Sequence, residues 1–171
     1  MAPAVFSLFC RALPRTRGCL VAAGIDAVLC ALETLSFSPD LVEWLGRAVP
    51  LRPATKRWLA GFRFQGDVWA VPEGTPVFAD EPLLEVEAPL PVAQLVETLV
   101  MNQVHLATVV ASKAVRVVSA ARGRPILDFG MRRAQGLDAA LQGARAMYLA
   151  GGDATSDVLA GYVYGLPLAG T

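Results

Sequence analysis

Between residues 92 and 122 the chain contains neither glycine nor proline, and its polar side chains recur at Gln94, Thr98, Asn102, His105, Thr108, Ser112, Arg116 and Ser119. The intervals, all of 3 or 4 residues, match the 3.6-residue period of an α-helix. The stripe is narrow and mostly uncharged, so the sequence predicts one long helix buried on nearly every side. The chain must therefore supply, or meet, enough structure to cover it. His105 is the sole histidine and reads as a hydrogen-bonded member of the stripe.

Such a helix raises the question of a membrane, and the composition sharpens it: 54% of the 171 residues are hydrophobic and 18% charged, where roughly 25% charged is usual. A spanning helix needs about 20 predominantly apolar residues. The stretch 19–35 is interrupted by Asp26 and Glu33, and the stretch 95–121 by Glu97, Lys113 and Arg116. Residues 1–9 carry no basic side chain, so they lack the charged start of a secretory signal. The expectation is a cytoplasmic protein without a membrane partner, its apolar faces covered by further structure.

Fifteen basic and fifteen acidic residues balance, which leaves no global field to attract nucleic acid. Only Lys56 and Lys113 are lysines; the other basic residues are arginines. Arginine suits bidentate binding of carboxylate or phosphate, although a compositional bias of the source genome gives the same pattern. Cys10, Cys19 and Cys30 fit no Cys-x-x-Cys spacing and read as small buried hydrophobes in a reducing compartment. One histidine excludes a histidine-based metal cluster, and no metal ligand is assigned.

Ahead of the helix, residues 5–9 read as a strand and 25–35 as a helix. Ser38 and Pro39 open another helix as cap and first residue, and a shorter one surrounds Trp58. Residues 64–88 form a β block, with strands at 67–71, 75–78 and 84–88 separated by the turns Pro72-Glu73-Gly74 and Asp80-Glu81-Pro82. Leu84, Val86 and Ala88 alternate with Glu85 and Glu87, the period of a half-buried antiparallel strand. Beyond Gly123 the rhythm becomes a strand at 125–129, a loop, a helix at 137–149, a short element, a helix from a Ser156 cap to Tyr162, and a strand at 166–169. Alternating β and α elements predict a parallel sheet. The fold class is α/β.

Asp128-Phe129-Gly130-Met131-Arg132-Arg133 carries the chemistry. In parallel α/β folds the C-terminal strand ends and the loops after them build the active site. An aromatic ring there can stack on a flat heterocycle, and an arginine fork can pair with an anion. Spacing alone also allows a structural ion pair between Asp128 and Arg132.

The run Asp128 to Gly136, with Tyr148-Leu149-Ala150-Gly151, Thr155-Ser156-Asp157-Val158-Leu159-Ala160-Gly161, Gly165-Leu166-Pro167 and Gly170-Thr171, resembles the core signature of nicotinate phosphoribosyltransferases in order and spacing. Residues 66–74, Glu97-Thr98-Leu99 and Asn102-Gln103 resemble that family too. The resemblance implies transfer of a phosphoribosyl group from phosphoribosyl pyrophosphate to the ring nitrogen of nicotinate in NAD salvage, aided by ATP hydrolysis and Mg²⁺. It implies an α/β domain over residues 1–122, with the hairpin block 64–88 and the helix 92–122, followed over 123–171 by the first units of an irregular (β/α) barrel. It implies a homodimer with composite sites.

Position by position, the resemblance makes Phe129 the ring-stacking residue and Arg132 a ligand of the carboxylate or a phosphate. Arg133 supports the phosphate side, and Asp157 stands beside the ring substituent where the family usually has asparagine. Asp157 is shared with the sister family that uses nicotinamide, which leaves a nicotinamide-using relative as a further alternative. The family's aromatic Asp-x-Tyr-type segment is expected before Met1, and its phosphorylated histidine beyond Thr171, so no catalytic residue is expected within the chain and the isolated chain is expected to be inactive. Two alternatives stand beside this: a non-catalytic remnant or interaction fragment, and a lipoyl-like carrier module. The latter needs a lysine at a hairpin tip, and none occurs between Lys56 and Lys113.

Overall fold

The computed structural model describes residues 2–170; the strand end expected at Thr171 lies outside them. Two antiparallel sheets, a long helix and a small parallel sheet follow one another. β1 (Pro3–Phe9) pairs with the middle strand β5 (Pro82–Pro89), which pairs on its other edge with β3 (Asp67–Ala70). Leu84, Val86 and Ala88 of β5 are buried while Glu87 faces out, as the alternation predicts.

The hairpin expectation needs correction. β4 (Pro76–Val77) does not pair with its sequence neighbours but with β2 (Leu20–Val21). Its backbone crosses to β2 because the turn before it is anchored there: Gly74 donates to the Ala22 carbonyl at 2.8 Å, and Ala22 donates to that of Thr75 at 2.9 Å.

Three helices cover one side of this region: α1 (Ile25–Thr34), α2 (Pro39–Ala48) and α3 (Pro53–Ala60). Ser38 caps α2, its hydroxyl accepting from Leu41 N–H at 3.2 Å, and Pro39 occupies the first turn, where its missing N–H costs nothing. Val28 and Leu32 of α1 join Phe62, Leu84, Val86, Val96 and Val100 in the main core. Phe37 and Trp58 close it edge-on against Phe62, with ring centroids 5.6 and 5.3 Å away.

The long helix is α4 (Leu90–Ala121), and most of its polar stripe is exposed, but two members of the stripe turn inward. Thr108 and Ser112 are buried. The Ser112 hydroxyl accepts from Val21 N–H at 2.8 Å, and the Thr108 hydroxyl bonds both the N–H and the carbonyl of Ala23. A two-residue strand cannot satisfy its backbone by pairing alone, and these hydroxyls complete it.

Apolar Met101, Val109, Val115 and Val117 are instead exposed, so α4 is less buried than predicted. His105 is exposed too, with no hydrogen-bond partner among the described residues. By length and composition α4 reaches what a membrane crossing requires. Packing against β1, β2, β5, α1 and α5 accounts for its apolar character. The cysteines are not buried: Cys10 and Cys19 are half-buried and Cys30 is exposed, all free.

After α4, β6 (Leu127–Asp128) and β7 (Ala154–Thr155) pair in parallel across α5 (Leu137–Leu149). Thr155 bridges onward in parallel to Leu168 after α6 (Val158–Tyr164). The predicted parallel arrangement is present, and α5 packs on α4 through Ala107, Ala111 and Ala146.

Candidate functional site

The C-terminal ends of β6, β7 and the Leu168 segment lie side by side and carry the predicted residues. Asp128 does not pair with Arg132. Its Oδ1 accepts from Gly130 N–H at 2.9 Å, and its Oδ2 accepts the Thr155 hydroxyl at 2.9 Å. The Thr155 oxygen in turn accepts from Asp157 N–H at 3.0 Å. With both carboxylate oxygens engaged locally, Asp128 shapes the loop and leaves the arginines free.

Phe129 is 48% exposed and lines a cleft of about 290 Å³ with Thr155, Ser156, Val158 and Leu168. The following 3₁₀ turn (Met131–Arg133) presents Arg132 and Arg133, both exposed. Neither has a salt-bridge partner among the described residues. Arg133 does not join Phe129: it opens with Lys113 onto a separate, mainly apolar cleft of about 500 Å³ between α4 and α5. Lys113, an exposed residue of α4, is a cation that sequence reasoning did not connect to this loop. The site residues thus share one loop system without converging on one pocket within the described residues.

Asp157 is 2% exposed and does not line the Phe129 cleft, although its neighbours Ser156 and Val158 do. It, rather than the expected Ser156, caps α6: its Oδ1 accepts from Leu159 and Ala160 N–H, each at 3.1 Å. Its Oδ2 is buried without a partner among the described residues, and a buried acceptor of that kind asks for a donor.

A second polar cluster was missed entirely. Glu73 Oε1 accepts from Gly24 N–H at 2.6 Å and Ile25 N–H at 2.9 Å, and its Oε2 meets the Arg145 guanidinium at 2.7 Å. Arg145 also pairs with Asp26 and lies over the Tyr164 ring at 5.8 Å. Burial alone would raise the Glu73 pKa, but the Arg145 bond and charge, with the two backbone N–H groups, hold it below its ordinary value. Burial opposes the charge on Arg145, yet Glu73 and Asp26 raise its pKa. Burial also raises that of Tyr164. The only sequence signal was an acid in a turn, whose partner lies 72 positions away.

The chain as a whole is similar to known proteins. A family model for the nicotinate phosphoribosyltransferase N-terminal domain matches residues 1–105. The chain belongs to the nicotinate phosphoribosyltransferase family. It is 52% identical to a nicotinate phosphoribosyltransferase of Mycobacterium tuberculosis, over 98% of this chain and 36% of the relative. A nicotinate phosphoribosyltransferase of Bacillus subtilis is 39% identical over 98% of this chain and 34% of its own length.

The crystal structure of human nicotinic acid phosphoribosyltransferase superposes with a TM-score of 0.91 at 36% identity, over 99% of this chain and 34% of that one. A nicotinate-nucleotide pyrophosphorylase of Pyrococcus furiosus shares the fold at a TM-score of 0.75 and 24% identity. The chain spans about a third of the length of the nicotinate phosphoribosyltransferases it matches. The α/β class read from the sequence agrees with this family fold.

Mg²⁺ and ATP are implied by the family, and no residue of this chain is assigned to hold them. No group of three or more His, Cys, Asp or Glu gathers among the described residues.

Proposed function

We propose that this chain provides the ring-binding portion of a nicotinate phosphoribosyltransferase acting in cytoplasmic NAD salvage. Residues 1–122 are its N-terminal α/β domain and residues 123–171 the opening of a (β/α) barrel. The observation that carries the reading is Phe129, half-exposed at a parallel strand end and followed by two arginines without acidic partners among the described residues.

In this reading Phe129 stacks on the pyridine ring, whose π face needs a flat apolar partner. Arg132 binds the ring carboxylate through its fork, and Arg133 supports a phosphate of phosphoribosyl pyrophosphate. The ring nitrogen donates its lone pair to the anomeric carbon as the carbon–oxygen bond to pyrophosphate breaks. These side chains fix the approach and offset developing charge. ATP hydrolysis and Mg²⁺ belong to the family reaction, and no step here is assigned to them. The working assembly is a homodimer with sites shared between subunits.

The test is a chimera in which these residues replace the matching third of the Mycobacterium tuberculosis relative. Turnover of nicotinate is expected, with Phe129→Ala raising KM for nicotinate roughly tenfold, the scale of one lost aromatic stacking contact. Full activity of the Phe129→Ala and Arg132→Ala chimeras would overturn the assignment.

A second reading, use of nicotinamide, is favoured by the unpartnered Asp157 Oδ2. An ionised carboxylate accepts hydrogen bonds only, so it suits an amide N–H and opposes a carboxylate.

A further inference from the structure

α5 and α6 each begin in a loop of the candidate site: the Phe129–Arg133 segment leads into α5, and Asp157 starts α6. What fixes these two helices against the N-terminal sheets is therefore part of how the site is built. The buried part of the contact of α5 with α4 is made by the small residues Ala107, Ala111 and Ala146, with Val110 and Leu149 packed at its edge. Alanine surfaces offer shallow ridges and grooves, and such a contact resists sliding or rotation poorly.

Directional bonds must supply the register. One is the side-chain hydrogen bond from Gln142 to Gln103 at 2.5 Å. The other is the Glu73 cluster, which reaches further. The turn holding Glu73 is fixed to β2 through Gly74 N–H. One Glu73 oxygen caps α1, the other holds Arg145 of α5, and Arg145 covers the ring of Tyr164 at the end of α6.

We propose that Glu73 and Arg145 are positioning residues: their ion pair registers α5 and α6, and hence the Phe129, Arg132, Arg133 and Asp157 loops, against the N-terminal sheets. The role rests on the functional reading above for its catalytic consequence but not for its structural one. A mostly buried ion pair is a weak source of net stability, because desolvation cancels much of the attraction. Its geometry, however, permits a single arrangement of the elements it joins. The exposed pair Arg47–Glu43, with both side chains about 70% accessible, has no such leverage.

Glu73→Gln isolates the effect, since an amide oxygen still accepts from Gly24 and Ile25 N–H while the charge facing Arg145 is gone. In the same chimera, hydrogen exchange followed by mass spectrometry should show the amides of residues 130–136 and 157–161 exchanging roughly tenfold faster, the scale of one charge-assisted bond. Protection of α1 and β5 should be unchanged. KM for nicotinate should rise by a similar factor with a smaller change in kcat. Arg145→Lys keeps the charge but loses the planar fork; it should give the same local pattern and serves if the first variant folds poorly. Unchanged exchange in those two segments, or acceleration spread evenly over the chain, overturns the proposal. If the unsubstituted chimera fails to use nicotinate, the functional reading falls while the exchange data still decide the role of the Glu73–Arg145 pair.

Discussion

The Thr155 hydroxyl donates to Asp128 Oδ2 at 2.9 Å, joining the ends of two neighbouring parallel strands where the candidate site begins. The same carboxylate receives Gly130 N–H, so one side chain fixes both the strand spacing and the bend that turns Phe129 outward. Removing it frees two donors at once. Asp128→Ala is expected to lower stability by about 1–3 kcal/mol, the cost of leaving such donors unpaired. Asp128→Asn, which keeps one acceptor, should lose less. Urea unfolding of the two variants measures both, and equal stability of Asp128→Ala and wild type would refute the role.

The Glu73 carboxylate predicts a pH dependence. Its folded pKa lies below the ordinary 4.5, so the folded state binds fewer protons than the unfolded chain near that pH. The stability it contributes is fully present above pH 4.5 and is lost as pH falls through the lower folded value. Arg145 stays charged throughout; Asp26 and Tyr164 are the other ionisable groups beside it, and Cys30 and Asp138 face Tyr164. Melting temperature should therefore be flat from neutral pH to about pH 5 and fall below it. For Glu73→Gln the fall should be shallower; identical pH profiles would count against the pairing.

Gly24 has a φ of +90° and faces the Gln103 carbonyl of α4, to which an added Cβ would lie 2.5 Å away. The neighbour is helix backbone and cannot swing aside. Gly24→Ala combines left-handed strain with overpacking, and roughly 2–4 kcal/mol of stability should be lost. Thermal unfolding gives the answer, and a loss below about 0.5 kcal/mol, the range of ordinary surface changes, would show that α4 yields.

Thr108→Val keeps shape but strips the Ala23 N–H and carbonyl of their partner, and Ser112→Ala does the same to Val21 N–H. Each should cost about 1–3 kcal/mol. The double variant should deviate from additivity, because both hydroxyls hold the same short segment, Val21 and Ala23. Denaturant titration of the cycle tests this.

Asp157→Asn probes base choice. Two like charges about 4 Å apart cost roughly 4 kcal/mol at an effective dielectric of 20, more than the ~1 kcal/mol of a neutral hydrogen bond. If Asp157 faces the ring substituent, the substitution should raise kcat/KM for nicotinate relative to nicotinamide in the chimera. The α6 cap, made by Oδ1, should survive because asparagine caps as well as aspartate. An unchanged ratio removes Asp157 from base selection.

Local chemistry settled much of this protein. Proline and serine signals set the start of α2, alternation set the faces of β5, the absence of breakers set α4, and the strand–loop–helix rhythm set the parallel segment with Phe129 at a strand end. These features depend on neighbours a few residues apart, and such neighbours are legible in a linear text. Tertiary structure alone decided the rest. β4 left its sequence neighbours for β2, and the hydroxyls of α4 turned inward because a short strand 85 or more positions away needed donors and acceptors. Asp128 chose Thr155 over Arg132, and Glu73 found Arg145. Each outcome is set by which unsatisfied groups the folded chain brings within hydrogen-bonding reach, a distance in space that sequence separation does not encode.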